Sequence, residues 1–201
     1  MSKDRLLLST RNLHKRREME EILKDLDVEV LTLDEVGIST VIEEDGATFA
    51  ANAIKKAGTI AILSDCITLA DDSGLVVDAL DGAPGIYSAR FAGENATDQD
   101  NNLKLMKLLQ EVEIPLRTAR FVCMIAICTP QGKTFTVEGR CEGRIGLTPR
   151  GQGGFGYDPL FIPEGYDQSF AELGEAVKNR ISHRARALQE ARKVLQEVFG
   201  R

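Results

Sequence analysis

Ile67-Thr68-Leu69-Ala70-Asp71-Asp72-Ser73-Gly74-Leu75-Val76-Val77 runs from β-forming residues into two carboxylates, then through Ser and Gly back to β-forming residues. Read alone, it predicts two strands joined by a tight acidic loop, with Gly74 supplying the turn. Upstream, Leu6-Leu7-Leu8 stops at Ser9 and Thr10, and Met19, Ile22, Leu23 and Leu26 then recur at helical spacing. A second strand is expected at Val28 to Leu33. An acidic turn at Glu43-Glu44-Asp45-Gly46 follows, and Thr48 is placed to cap a helix over Phe49 to Leu63.

Downstream, Leu103, Met106, Leu109 and Val112 mark a helix beginning near Thr97. Thr118 to Cys128 and Thr134 to Glu138 read as strands joined by Pro130-Gln131-Gly132-Lys133, short enough for an antiparallel hairpin and hence a mixed sheet. Ala185, Leu188, Ala191, Leu195 and Val198 predict a long terminal helix from Ser182. The expectation is an α/β fold, a central mixed β-sheet flanked by helices, in one domain over 1–201.

With 201 residues, 43% of them hydrophobic, the chain is able to bury a sizeable core. No apolar stretch approaches the roughly 20 residues a spanning helix needs, and no signal-peptide pattern opens the chain, so no membrane association and a cytoplasmic location are expected. Four cysteines without CxxC or paired histidine spacing signal neither zinc nor a disulfide framework. A net charge of −6 argues against a nucleic-acid partner, which requires a basic footprint.

Four segments offer chemistry. Thr10-Arg11-Asn12-Leu13-His14-Lys15 lies where a strand turns into a helix, and its donors suit a phosphate, although the same residues also suit capping. Asp71-Asp72-Ser73-Gly74 offers the hard oxygen ligands that magnesium prefers, with Glu44 able to complete the set; an ordinary aspartate turn is the alternative. Gly151 to Pro159 presents Phe155, Gly156, Tyr157 and Asp158 on a glycine-rich backbone, where rings either stack on a base or anchor to the core. Lys178 to Arg184 gathers cations at the expected start of the last helix, against its dipole, which suits a bound anion or base; ordinary exposed positive charge is the alternative.

Together and in this order the segments resemble the inosine triphosphate pyrophosphatase family, from Leu6 to Leu195. The resemblance rests on Thr10, Asn12 and Lys15, on Asp71 to Gly74, on Phe155 to Pro159 and on Ser182-His183-Arg184, with Gly82-Ala83-Pro84-Gly85 and Tyr87-Ser88-Ala89-Arg90 also fitting. It implies two lobes with a nucleotide cleft between them, a homodimer, and Mg²⁺-dependent hydrolysis of ITP, dITP and XTP to monophosphate plus pyrophosphate, cleansing the nucleotide pool. It implies Asp72 as catalytic carboxylate and metal ligand, Glu44 as a further metal contact, and Ser73 touching substrate. Water would attack the α-phosphorus in line. Lys15 and Lys178 would stabilise phosphate charge, Thr10 and Asn12 would fix its register, Phe155 would stack on the purine, and His183 and Arg184 would donate to its 6-keto oxygen.

The chain departs from the family pattern at Ala51, where a glutamate is expected before Asn52-Ala53, and at Arg11, where glycine is common. Two other readings are weighed: a Maf-like nucleotide pyrophosphatase of different base preference, disfavoured by Ser182-His183-Arg184, and a catalytically weak nucleotide-binding module, suggested by Ala51.

Overall fold

A computed structural model describes residues 4–200. Six strands form one mixed sheet in the order β2-β1-β3-β4-β5-β6: β1 Asp4–Leu8, β2 Val28–Thr32, β3 Ile67–Val77, β4 Thr118–Cys128, β5 Thr134–Ile145 and β6 Phe161–Pro163. β1 pairs in parallel with both β2 and β3, and β5 pairs antiparallel with β6. The helices are α1 Leu13–Leu23, α2 Phe49–Ser64, α3 Asp98–Leu108, α4 Phe170–Leu173, α5 Glu175–Ile181 and α6 His183–Val198. None of them is long and apolar enough to cross a membrane.

The chain divides into two compact units, the first made of Met1–Asp72, Cys123–Gly139 and Arg184–Arg201 and the second of Ser73–Val122 and Arg140–His183. In the first, Leu6, Leu8, Leu69, Cys123, Ile125 and Ile127 project from the strands onto Met19 and Leu23 of α1 and Leu188, Ala191 and Leu195 of α6. Ala70, Ala126 and Cys128 meet Ala53, Ala57 and Ala61 of α2. Because neighbouring side chains along a strand point to opposite faces, β3 is covered by α1 and α6 on one side and by α2 on the other. The second unit has its own core, in which Phe121, Phe161 and Phe170 pack as a triad around Leu75, Val77, Leu105 and Tyr157.

Several expectations need correcting. β3 is continuous from Ile67 to Val77, so Asp71-Asp72-Ser73-Gly74 is strand and not a loop between two strands. The charged side chains do not end the ladder because each aspartate meets a donor on its own face, described below. β5 extends seven residues past Glu138, to Ile145, because alternation persists through a charged, glycine-diluted run in which Cys141 is buried. β6, α4 and α5 are too short to produce a periodic signal. On α3 the buried positions are Asn101, Asn102 and Leu105, while Leu103 is 57% exposed, so the helix turns two amides inward where a leucine was expected.

Candidate active site

Asp71 and Asp72 are adjacent on β3 and therefore serve opposite faces. Asp71, 1% exposed, points toward α1 and α6. Its Oδ2 receives Lys15 Nζ at 3.0 Å, Arg184 Nη2 at 3.1 Å and Arg184 Nε at 3.3 Å. Arg184, equally buried, also donates Nη1 to Glu18 Oε2. Burial alone pushes the Asp71 carboxyl up, but the charges of Lys15, Arg184 and Lys56 outweigh it and hold the group far below the carboxylate range. The same network raises the Arg184 guanidinium, its two carboxylates outweighing the burial that lowers it. Cys123, whose Sγ lies 4.0 Å from Asp71 Oδ2, is pushed up to about 12 by burial and then by that carboxylate, and stays a thiol.

A carboxyl depressed in the folded state adds stability above its unfolded pKa and loses that contribution as pH falls. The stability gap between the wild type and Asp71→Asn, measured by urea denaturation, is therefore expected to be constant from pH 7 to 5. It should narrow below about pH 4, where the unfolded aspartate begins to protonate. A gap unchanged down to pH 3 would contradict the ion-pair account.

Asp72 faces α2. Asn52, on the buried face of that helix, donates Nδ2 to Asp72 Oδ2 at 2.9 Å and accepts the Gly46 N–H at 2.7 Å. Lys56, one turn on, places Nζ 3.8 Å from Asp72 Oδ1 and 3.2 Å from Glu44 Oε1. Gly46 leaves no room for a side chain, since a Cβ there would lie 2.6 Å from Asn52 Oδ1. Burial raises the Asp72 carboxyl, against the lowering effects of Lys56 and the Asn52 hydrogen bond. Two neighbouring aspartates are thus driven in opposite directions, one lowered by its cations and one raised by burial, the pattern expected where carboxylates carry different roles.

Glu44, partly buried against Lys56, is the acidic-turn residue that reaches this face, while Glu43 is exposed. Ala51 is the third residue of α2, and its N–H is capped by Thr48 Oγ1 at 3.1 Å. A glutamate there would complete a capping box with Thr48, so its absence is first a matter of helix capping. Lys56, Asn52 and Glu18 were not foreseen as site residues. The available signal was a lysine and an asparagine four apart on the apolar face of α2, where neither belongs without a partner.

At the start of α1, Asn12 Oδ1 caps the His14 and Lys15 N–H groups at 3.0 and 3.1 Å, and Thr10 Oγ1 accepts from Asn12 N at 3.2 Å. Leu13 and His14 are exposed. Arg11 reaches away, Nη2 donating to the Ile38 carbonyl at 3.0 Å, so it ties down the segment after β2.

In the second unit, Ser73 follows Asp72 on β3 and is partly buried. Phe155 is half-buried with Lys178 Nζ 4.4 Å above its ring centroid, a cation–π distance. Lys178, itself buried, pairs with Asp158 Oδ2 at 2.6 Å, and that same oxygen accepts the Phe155 N–H at 3.0 Å. Gly154, at φ +75°, is obligatory, since a Cβ would stand 2.0 Å from Asp158 Oδ2. Tyr157 is buried and donates its hydroxyl to the Ser88 carbonyl at 2.8 Å, so of the two rings it is the anchor; burial raises its phenol. His183 stacks on Phe121 at 4.7 Å and 12°. Lys178 and Arg180 lie in the last turn of α5, where cations suit the helix dipole, and not at the start of α6 as expected.

Residues 6–194 match the model of the Ham1 family, and the chain belongs to that family. It is 52% identical over 195 residues to the dITP/XTP pyrophosphatase of Desulforamulus reducens, covering 97% of each chain. It is 47% identical over 190 residues to the dITP/XTP pyrophosphatase of Bacillus subtilis, covering 94% of this chain and 96% of that one. Among solved structures it is similar to a HAM1 protein from Coxiella burnetii, with a TM-score of 0.88 and 39% identity over 96% of this chain and 99% of that one.

Proposed function

We propose that this chain hydrolyses ITP, dITP and XTP to the monophosphate and pyrophosphate, acting as an enzyme over its whole length. The observation that carries the reading is the pair Asp71 and Asp72, one neutralised by Lys15 and Arg184 and the other left with a raised carboxyl between Asn52, Lys56 and Glu44. The names of relatives sharing about half its residues support the substrate class.

Asp72 positions the attacking water and accepts its proton, a task favoured in a carboxyl that burial raises above its ordinary value. Asn52 holds Oδ2 at 2.9 Å and Lys56 approaches Oδ1 at 3.8 Å, so both oxygens are oriented by α2. Lys15 and Lys56 supply positive charge for the triphosphate, and Thr10 orients it with its hydroxyl. Asp72 and Glu44 suit Mg²⁺: both approach the Lys56 ammonium, so their hard oxygens already share one cation. Mg²⁺ is commonly held in this way, by one or two carboxylates with phosphate and water completing its shell. When bound, it neutralises phosphate oxygens and the departing pyrophosphate.

Phe155 stacks on the purine, held by Asp158 and Lys178, which are committed to each other and to the ring. His183, fixed by Phe121, donates to the 6-keto oxygen. A site built around such a donor rejects adenine, whose amino group leaves it unpaired. Arg184 acts through Asp71, its guanidinium being engaged by two carboxylates. Homodimeric assembly and a cytoplasmic location belong to the same reading.

Incubation of the purified protein and Mg²⁺ with ITP, XTP, GTP and ATP, with pyrophosphate and orthophosphate quantified separately, tests it. Pyrophosphate from ITP and XTP, with GTP and ATP nearly untouched, is the expected result. Orthophosphate as primary product would indicate a phosphatase, and tight binding without turnover a nucleotide-binding module.

A further inference from the structure

Gly156, between the Phe155 ring and the Tyr157 anchor, has both of its backbone polar groups held from α3. Its N–H donates to Asp98 Oδ2 at 2.6 Å, and its carbonyl accepts from Asn102 Nδ2 at 2.8 Å. We propose that Asp98 and Asn102 are positioning residues that set the orientation of Phe155 and so the affinity for the purine base. The inference rests on the base-stacking reading above.

Neither side chain is needed where it stands for the helix itself. The start of α3 is already closed by a capping box, Thr97 Oγ1 accepting from Asp100 N at 3.2 Å and Asp100 Oδ2 accepting from Thr97 N at 2.8 Å. Asp98 is thereby released from capping and turned to Gly156. Asn102 is buried; its Nδ2 also donates to the Asp98 carbonyl at 2.9 Å, and its Oδ1 is buried without a protein donor among the described residues. An apolar residue would avoid that desolvation cost, so the amide is retained for what it donates. Two facing carbonyls also fix which end of the amide points to Gly156.

The consequence is a segment, 155–158, whose backbone and anchors are tied on several sides. Gly156 is clamped on both sides, Tyr157 is tied to Ser88, and Asp158 to Lys178 and the Phe155 N–H. The Phe155 ring is half-exposed beneath Lys178, on a backbone that cannot rotate its peptide without breaking several bonds. A stacking platform held in this way binds a base without first having to be ordered.

Steady-state kinetics on ITP with Asp98→Ala, Asp98→Asn, Asn102→Ala and Phe155→Ala tests this, alongside thermal unfolding of each variant. Asp98 is exposed at the start of α3, so its replacement leaves the fold intact. Asp98→Ala and Asn102→Ala are expected to raise KM about tenfold with kcat within about twofold, the magnitude of lost base stacking. Asp98→Asn, which keeps an acceptor, should restore KM, and adding Asp98→Ala to Phe155→Ala should cost little more than Phe155→Ala alone. A merely structural role would lower Tm and leave KM unmoved. Unchanged KM in Asp98→Ala and Asn102→Ala, with KM raised in Phe155→Ala, would overturn the positioning role and spare the stacking reading. Unchanged KM in Phe155→Ala would overturn both.

Discussion

Asp72→Asn is expected to lower kcat for pyrophosphate release by about 10²–10⁴-fold, the range for loss of a positioned proton acceptor. The same variant, in EDTA at pH 7.5, should unfold at or above the wild-type temperature. The sign follows from the environment. Burial raises the Asp72 carboxyl in the folded protein, so holding it ionised at neutral pH works against folding, and a neutral amide removes that cost. The amide still offers an oxygen to Asn52 Nδ2, which lies 2.9 Å from the present Oδ2. Loss of turnover together with unchanged or improved stability is the signature of a residue kept for chemistry. A variant that kept wild-type turnover would remove Asp72 from the mechanism, and one that unfolded markedly earlier would show that the carboxylate holds the strand in place.

Arg184→Ala should cost about 3–5 kcal/mol of stability, the penalty for removing one partner from a buried ion network. The guanidinium spans Asp71 on β3 and Glu18 on α1 from the first turn of α6, so its loss deprives both carboxylates of a shared cation. Urea denaturation with an unchanged m value and a lower midpoint is the expected readout. Arg184→Lys should recover part of the loss, because a single ammonium cannot bridge both carboxylates as the planar fork does. If Arg184→Ala instead left the midpoint within experimental error while raising KM for ITP, Arg184 would be reading the base directly.

Much of the fold was legible without coordinates because the main elements carry their own periodicity. The apolar triplet Leu6-Leu7-Leu8, the alanine-rich α2 with its Thr48 cap and the heavily patterned α6 each declare their type locally. Residue type marked the segments around Asp72, Lys15, Phe155 and His183, and the family resemblance implied which side chains in them, with Glu44, carry the chemistry. What local pattern did not reveal was partnership. Asp71 and Asp72 look alike in sequence, yet strand alternation sends one to Lys15 and Arg184 and the other to Asn52 and Lys56. Phe155 and Tyr157 look like a pair of stacking rings, yet the Ser88 carbonyl captures one of them. Arg184 reads as a donor to the purine until Asp71, 113 positions away, is placed against it. The sequence by itself therefore determined the element types and the chemical groups on offer. The tertiary structure decided which charges are spent on one another, because burial and pairing depend on neighbours distant in the chain, and those two quantities set a carboxylate's protonation and a cation's freedom to act.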